Sequence, residues 1–137
     1  MRRLVFALLG AALACSSPIE PSVPTLEFEV GIVFGIPTLP TTATPESGAL
    51  LVTGVMQTQT TGYTLFGTLT VTGPRALRLD VDAFETVPGF FVPTQNYFRA
   101  RIRNLPAGDL DVEVYHTNHA TPEAVPLRVY HETVRIQ

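Results

Sequence analysis

The chain has 137 residues, 45% apolar and 15% charged, with nine arginines, no lysine, twelve acids and a formal net charge of −3. That length suits one domain with a real core, and the apolar share excludes a broadly disordered chain. The acidic balance argues against non-specific nucleic-acid binding, and the single cysteine, Cys15, excludes an intrachain disulfide framework or a cysteine-built zinc site.

The chain opens with Met1-Arg2-Arg3, a positive stretch, followed by ten apolar or small residues from Leu4 to Leu13 and then Ala14-Cys15. As a helix this run rises about 15 Å, half of a ~30 Å hydrocarbon core, so it predicts a secretory signal over residues 1–14 and not a transmembrane span. Loss of Arg2 and Arg3 with that leader makes the mature chain more acidic still. Ala12-Leu13-Ala14-Cys15 resembles the lipobox of bacterial lipoproteins, which implies cleavage before Cys15 and lipidation of its thiol. The family's sorting habit, with Ser16 after the cysteine, implies the outer membrane where the host has one. Ordinary cleavage after Ala14 fits the same small residues and would release a secreted protein. Residues 15–25 then read as the lipidated cysteine and a tether. Ser16–Thr25 is mostly Pro, Ser and Thr, a composition that favours extended chain with a reach of about 30 Å.

From residue 26 to 137 the apolar residues alternate at period two in short runs rich in Val, Thr, Phe and Tyr. Seven strands are predicted: Leu26–Phe34, Ala49–Gln57, Tyr63–Thr72, Ala76–Glu85, Asn96–Asn104, Asp109–Thr117 and Pro126–Ile136. Residues 37–48, dominated by Pro, Thr, Ser and Gly, read as a long loop. The expected fold class is all-β, a single seven-stranded sandwich of two sheets, with a small barrel as the alternative. In the last run Val134 and Ile136 share the parity of Tyr130, whereas Leu127 and Val129 take the other, which calls for a bulge or an open edge strand.

Leu105-Pro106-Ala107-Gly108, followed by Leu110, Val112 and Val114 at alternate positions, resembles the corner between the fifth and sixth strands of immunoglobulin-like sandwiches. Fibronectin type III and carboxypeptidase-regulatory-like domains show the pattern. Their corner tyrosine is replaced here by Leu110, and the paired cysteines and core tryptophan of antibody-type domains are absent. The resemblance therefore implies the immunoglobulin-like sandwich and leaves its subfamily open. Arg99, Arg101 and Arg103 share one strand face, and Asp109, Asp111 and Glu113 share one face of the next. Paired as a hairpin, these strands would form a ladder of exposed ion pairs; split between sheets, they would leave an arginine stripe able to meet an anionic partner.

Few residues suggest chemistry. His116 and His119 lie at H-x-x-H spacing with His131 on the next strand and are weak candidates for metal ligands; the favoured reading is surface or rim histidines with no metal. Asp80/Asp82 and Asp109/Asp111 alternate along strands and do not wrap a calcium ion. No nucleophile elbow or phosphate loop occurs, and Ser47 is the only serine beyond the tether, so no catalytic residues, enzyme activity or cofactor are expected. Phe90 and Phe91, within Val87–Pro93, either plug the open end of the sandwich, the reading favoured where tryptophan is lacking, or project as a partner contact. The expected protein is a membrane-anchored envelope lipoprotein acting as a non-catalytic binding, assembly or scaffolding module with a protein partner. A secreted metal- or glycan-binding sandwich is the alternative, and a metal-dependent enzyme the more remote one.

Overall fold

A computed structural model describes residues 22–33 and 39–137; the expected signal, Cys15 and most of the expected tether lie outside the described residues. The chain folds as eight strands: β1 Thr25–Val33, β2 Thr42–Glu46, β3 Ala49–Thr58, β4 Tyr63–Gly73, β5 Ala76–Glu85, β6 Thr94–Arg103, β7 Gly108–Asn118 and β8 Leu127–Ile136. They form two four-stranded sheets, ordered β1-β6-β3-β2 and β4-β5-β7-β8, stacked as an open sandwich. The strand beyond the seven expected is β2, inside the segment read as a loop. Its Pro45 lacks an N–H but sits on an edge strand that pairs only with β3, where one side of the backbone needs no partner.

Alternation places one face of each central strand between the sheets. Leu50 and Val52 of β3, Leu77, Leu79 and Val81 of β5, Phe98, Ala100 and Ile102 of β6, and Leu110, Val112 and Val114 of β7 are all buried. Phe98 is the largest fully buried side chain, stacked on Phe28 with centroids 5.9 Å apart. Its ring lies over Gly54 of β3, where any Cβ would come within 2.6 Å of it. A small residue beneath a large one keeps the layer at close-packed density.

Two departures from regular antiparallel pairing at β7 shape the second sheet. β5 and β7 run parallel, with Leu77 opposite Val112 and Leu79 opposite Val114. The sheets that the immunoglobulin resemblance implies are wholly antiparallel. A bulge between β7 and β8 falls at Val114/Tyr115, so Val114 faces Tyr130 while Tyr115 faces Arg128. That extra residue brings Val134 and Ile136 inward and leaves Leu127 exposed, which resolves the parity conflict of the last run; β8 is also an edge strand.

The chain changes sheet at Asn104–Gly108, so β6 and β7 do not pair. Asn104 takes φ 61°, a left-handed conformation that Asn adopts more readily than most residues, and Gly108 takes φ 112°. Arg75, from the β4–β5 turn, donates to the carbonyls of Ala107 and Asp109, each at 3.0 Å. A Cβ on Gly108 would meet that guanidinium at 2.7 Å. Leu105 is buried at this end of the sandwich, and its N–H donates to the Gly48 carbonyl at 3.1 Å.

Replacing Phe98 by Ala removes a ring whose volume Gly54 and Phe28 cannot refill. Urea unfolding followed by circular dichroism is expected to show a loss of about 3–5 kcal/mol.

Candidate binding surface

The corner decides the fate of both charged stripes. Arg103 reaches Glu27 of β1 through two nitrogens at 2.8 and 3.0 Å, and Arg101 reaches Glu46 of β2 at 3.1 Å. Arg99 lies in register with Glu29. The arginine stripe therefore stands among glutamates of its own sheet and presents no uncompensated cationic row. The acids of β7 pair instead with β8: Asp109 with Arg135, Asp111 with His131 and Glu113 with Arg128, each at 3.0 Å. The hairpin ladder between residues 99–103 and 109–113 does not form, because β6 and β7 belong to different sheets.

The three histidines part company in the same way. His131 is held by Asp111. His119 contacts Asp82 at 2.7 Å and stacks on Phe84 with centroids 4.1 Å apart. His116 continues the inward parity of Leu110, Val112 and Val114 and meets Phe98 edge-on at 5.5 Å. It is largely buried, contrary to the rim placement expected from sequence. Among the described residues no three His, Cys, Asp or Glu side chains converge as a metal site.

Phe90 and Phe91 do not plug the sandwich: they are 81% and 90% exposed. That end is filled by a polar cluster. Buried Asn96 donates to the Thr58 hydroxyl at 2.8 Å, Thr58 donates to the Thr60 carbonyl at 3.0 Å, and the Thr94 hydroxyl donates to the Val92 carbonyl at 2.8 Å. Met56, opposite Asn96 in register, and Tyr63 are buried as well.

The segment carrying the two phenylalanines is clasped to the β3–β4 turn. The N–H groups of Thr86 and Val87 donate to the Gly62 carbonyl at 3.0 and 3.4 Å, and the Thr61 N–H donates to the Phe90 carbonyl at 3.2 Å. The Phe90 N–H in turn donates to the Thr61 hydroxyl at 3.1 Å. Gly62 and Gly89 meet backbone to backbone; a Cβ on Gly62 would strike the Val87 carbonyl oxygen, and one on Gly89 the Gly62 amide. The clasp thus requires glycine on both sides. Val87 and Val92 flank the rings and are exposed as well. An apolar tip is therefore displayed on a segment whose backbone is already ordered.

A second exposed aromatic group, which the sequence reading missed, lies on the outer face of β4 and β5. Phe66 and Phe84 pack edge to face at 5.9 Å, and His119 extends the row beyond Phe84. Its signal was an apolar residue at an outward position on each of two adjacent strands. The tyrosines offer less. Tyr63 is buried, Tyr115 lies beneath the Arg78 guanidinium at 4.1 Å, and Tyr130 donates to Glu132 at 3.1 Å. Burial and that hydrogen bond push the Tyr130 phenol up to about 12.

Burial pushes the His116 imidazole down from 6.5 to about 4, and its Nε2 has no hydrogen-bond partner. A depressed histidine pKa leaves stability complete above pH 6.5; between that value and about 4 the unfolded chain binds a proton that the fold resists. Stability therefore declines through this window, by up to about 3 kcal/mol. His116→Leu is expected to flatten that acid limb in pH-dependent urea titrations relative to the parent chain. Gly62→Ala is expected to open the clasp, seen as faster amide exchange of Thr86, Val87 and Phe90 with the core strands still protected. No protein-family model, curated protein or solved structure matches the chain, so the reading of these surfaces rests on their geometry.

Proposed function

We propose that the protein is a non-catalytic binding and assembly module, lipidated at Cys15, tethered to a cell-envelope membrane, and engaging a protein partner through the Phe90–Phe91 tip. The observation that carries this reading is the clasped tip itself. Two nearly fully exposed phenylalanines stand on a segment whose backbone is already hydrogen-bonded to the β3–β4 turn. Burying one such ring is worth roughly 1.5–3 kcal/mol, and a segment ordered beforehand loses little entropy when it docks. The position of the tip also fits an anchor. Thr25 pairs with Arg103, whereas the tip leads directly into Thr94 at the other end of β6, about 30 Å away. A tether entering at Thr25 therefore leaves the tip at the far end of the domain.

This reading leaves Arg99, Arg101 and Arg103 in the framework, since Glu46 and Glu27 pair with Arg101 and Arg103 and Glu29 lies opposite Arg99. A second reading, glycan binding, draws support from the exposed Phe66–Phe84–His119 row. It predicts hits on a glycan array that Phe84→Ala abolishes.

The assembly reading is tested in the host envelope with a photo-crosslinking residue at position 91. A discrete protein adduct is expected from the parent chain and is lost in a Phe90→Ser variant whose circular dichroism is unchanged. An adduct equally strong in that variant, or crosslinks to lipid only, overturns the tip as the partner contact. Intact mass of the extracted protein tests the anchor, the expected species beginning at Cys15 with acyl chains attached.

A further inference from the structure

We infer that β4 is a self-pairing edge, through which a second copy of this chain adds antiparallel about a two-fold axis to join the two β4-β5-β7-β8 sheets into one. Among the described residues β4 pairs only with β5, so the opposite row of its backbone groups has no strand partner. Native sheets normally guard such an edge with charge, proline or shortness. The other three edges carry those guards. β1 holds Glu27 and Glu29 and no base, so a second β1 would be repelled. β2 has five residues, with Pro45 and Glu46 among them. β8 carries Arg128, His131, Glu132 and Arg135.

The eleven residues of β4, Tyr63–Gly73, contain no charge and no proline. Four are threonines, and two apolar side chains, Phe66 and Val71, are 48% and 56% exposed. An antiparallel pair centred on Thr68 spans Leu65–Val71 and keeps each face with its like. Thr68 meets Thr68 of the second copy, Phe66 meets Thr70, and Leu65 meets Val71. Threonine–threonine and aromatic–β-branched pairs favour such a ladder, and the absence of charge removes the repulsion that would oppose it. The bulge between Val71 and Gly73 lies at one end of the strand and leaves Tyr63–Val71 regular. Because the interface is isologous, it closes at two copies and leaves β8, with its charges, at both outer edges. Each tip then lies at the far end of its own subunit from the tether. The pairing does not depend on lipidation or on the partner of the tip.

The test uses the full chain carrying Cys15→Ser, so that no acyl group drives association. Sedimentation velocity from micromolar to millimolar concentration is expected to show a reversible monomer–dimer equilibrium. Thr68→Lys, which sets two like charges against each other on the axis, is expected to leave only monomer with unchanged circular dichroism. Thr68→Val, which keeps the edge uncharged, is expected to retain the dimer. A single Thr68→Cys substitution in the same background is expected to crosslink two copies on mild oxidation, whereas Thr133→Cys on the β8 edge is not. A monomer at every concentration, a dimer indifferent to Thr68→Lys, or crosslinking through position 133 and not 68 overturns the inference.

Discussion

The crossing between sheets at Asn104–Gly108 is the constraint on which the remaining geometry depends. A left-handed Asn104, a Gly108 pressed against Arg75 and the buried Leu105 turn the chain from one layer into the other within five residues. Had this bend been a hairpin, Arg99–Arg103 and Asp109–Glu113 would have neutralised one another. Because it is a crossing, β6 lies between β1 and β3, β7 lies between β5 and β8, and each stripe finds its counter-charges on its own sheet. These are exposed or half-exposed pairs that add little stability individually. Their consequence is that neither outer face carries a broad unbalanced charge.

The two ends of the sandwich carry different chemistry. At the corner end an apolar side chain, Leu105, fills the gap between the layers. At the other end Thr58, Thr94 and Asn96 form a hydrogen-bonded cluster. A polar cluster buried with its partners is tolerated where an unpaired group would be costly. The phenylalanines of the neighbouring segment face outward, and the glycine clasp holds the backbone that carries them.

Some of this was legible in the residues. The shift of parity along Leu127–Ile136 marked the β8 bulge, since period-two alternation cannot change face without an inserted residue. The inward phase of Leu110, Val112 and Val114, carried one step further, places His116 inside the sandwich, and that step needs only the alternation of the strand. Strand β2 was not legible. Thr42–Glu46 has the composition of a loop, and it becomes a strand because the free edge of β3 gives it hydrogen-bond partners. The Phe66–Phe84–His119 row was hidden because its members stand on separate strands and meet only once β4 and β5 are in register.

The sequence by itself determined the all-β class, seven of the eight strands, the inward face of most of them and the position of the corner. These follow from short-range alternation and from turn chemistry, which need no knowledge of what lies opposite. The tertiary structure alone decided that β5 and β7 run parallel, which charges answer the Arg99–Arg103 and Asp109–Glu113 stripes, and whether Phe90 and Phe91 face the core or the solvent. Each of those outcomes depends on contacts between segments distant in the chain. A local pattern of apolar and charged residues is equally compatible with more than one such arrangement until the sheets close on each other.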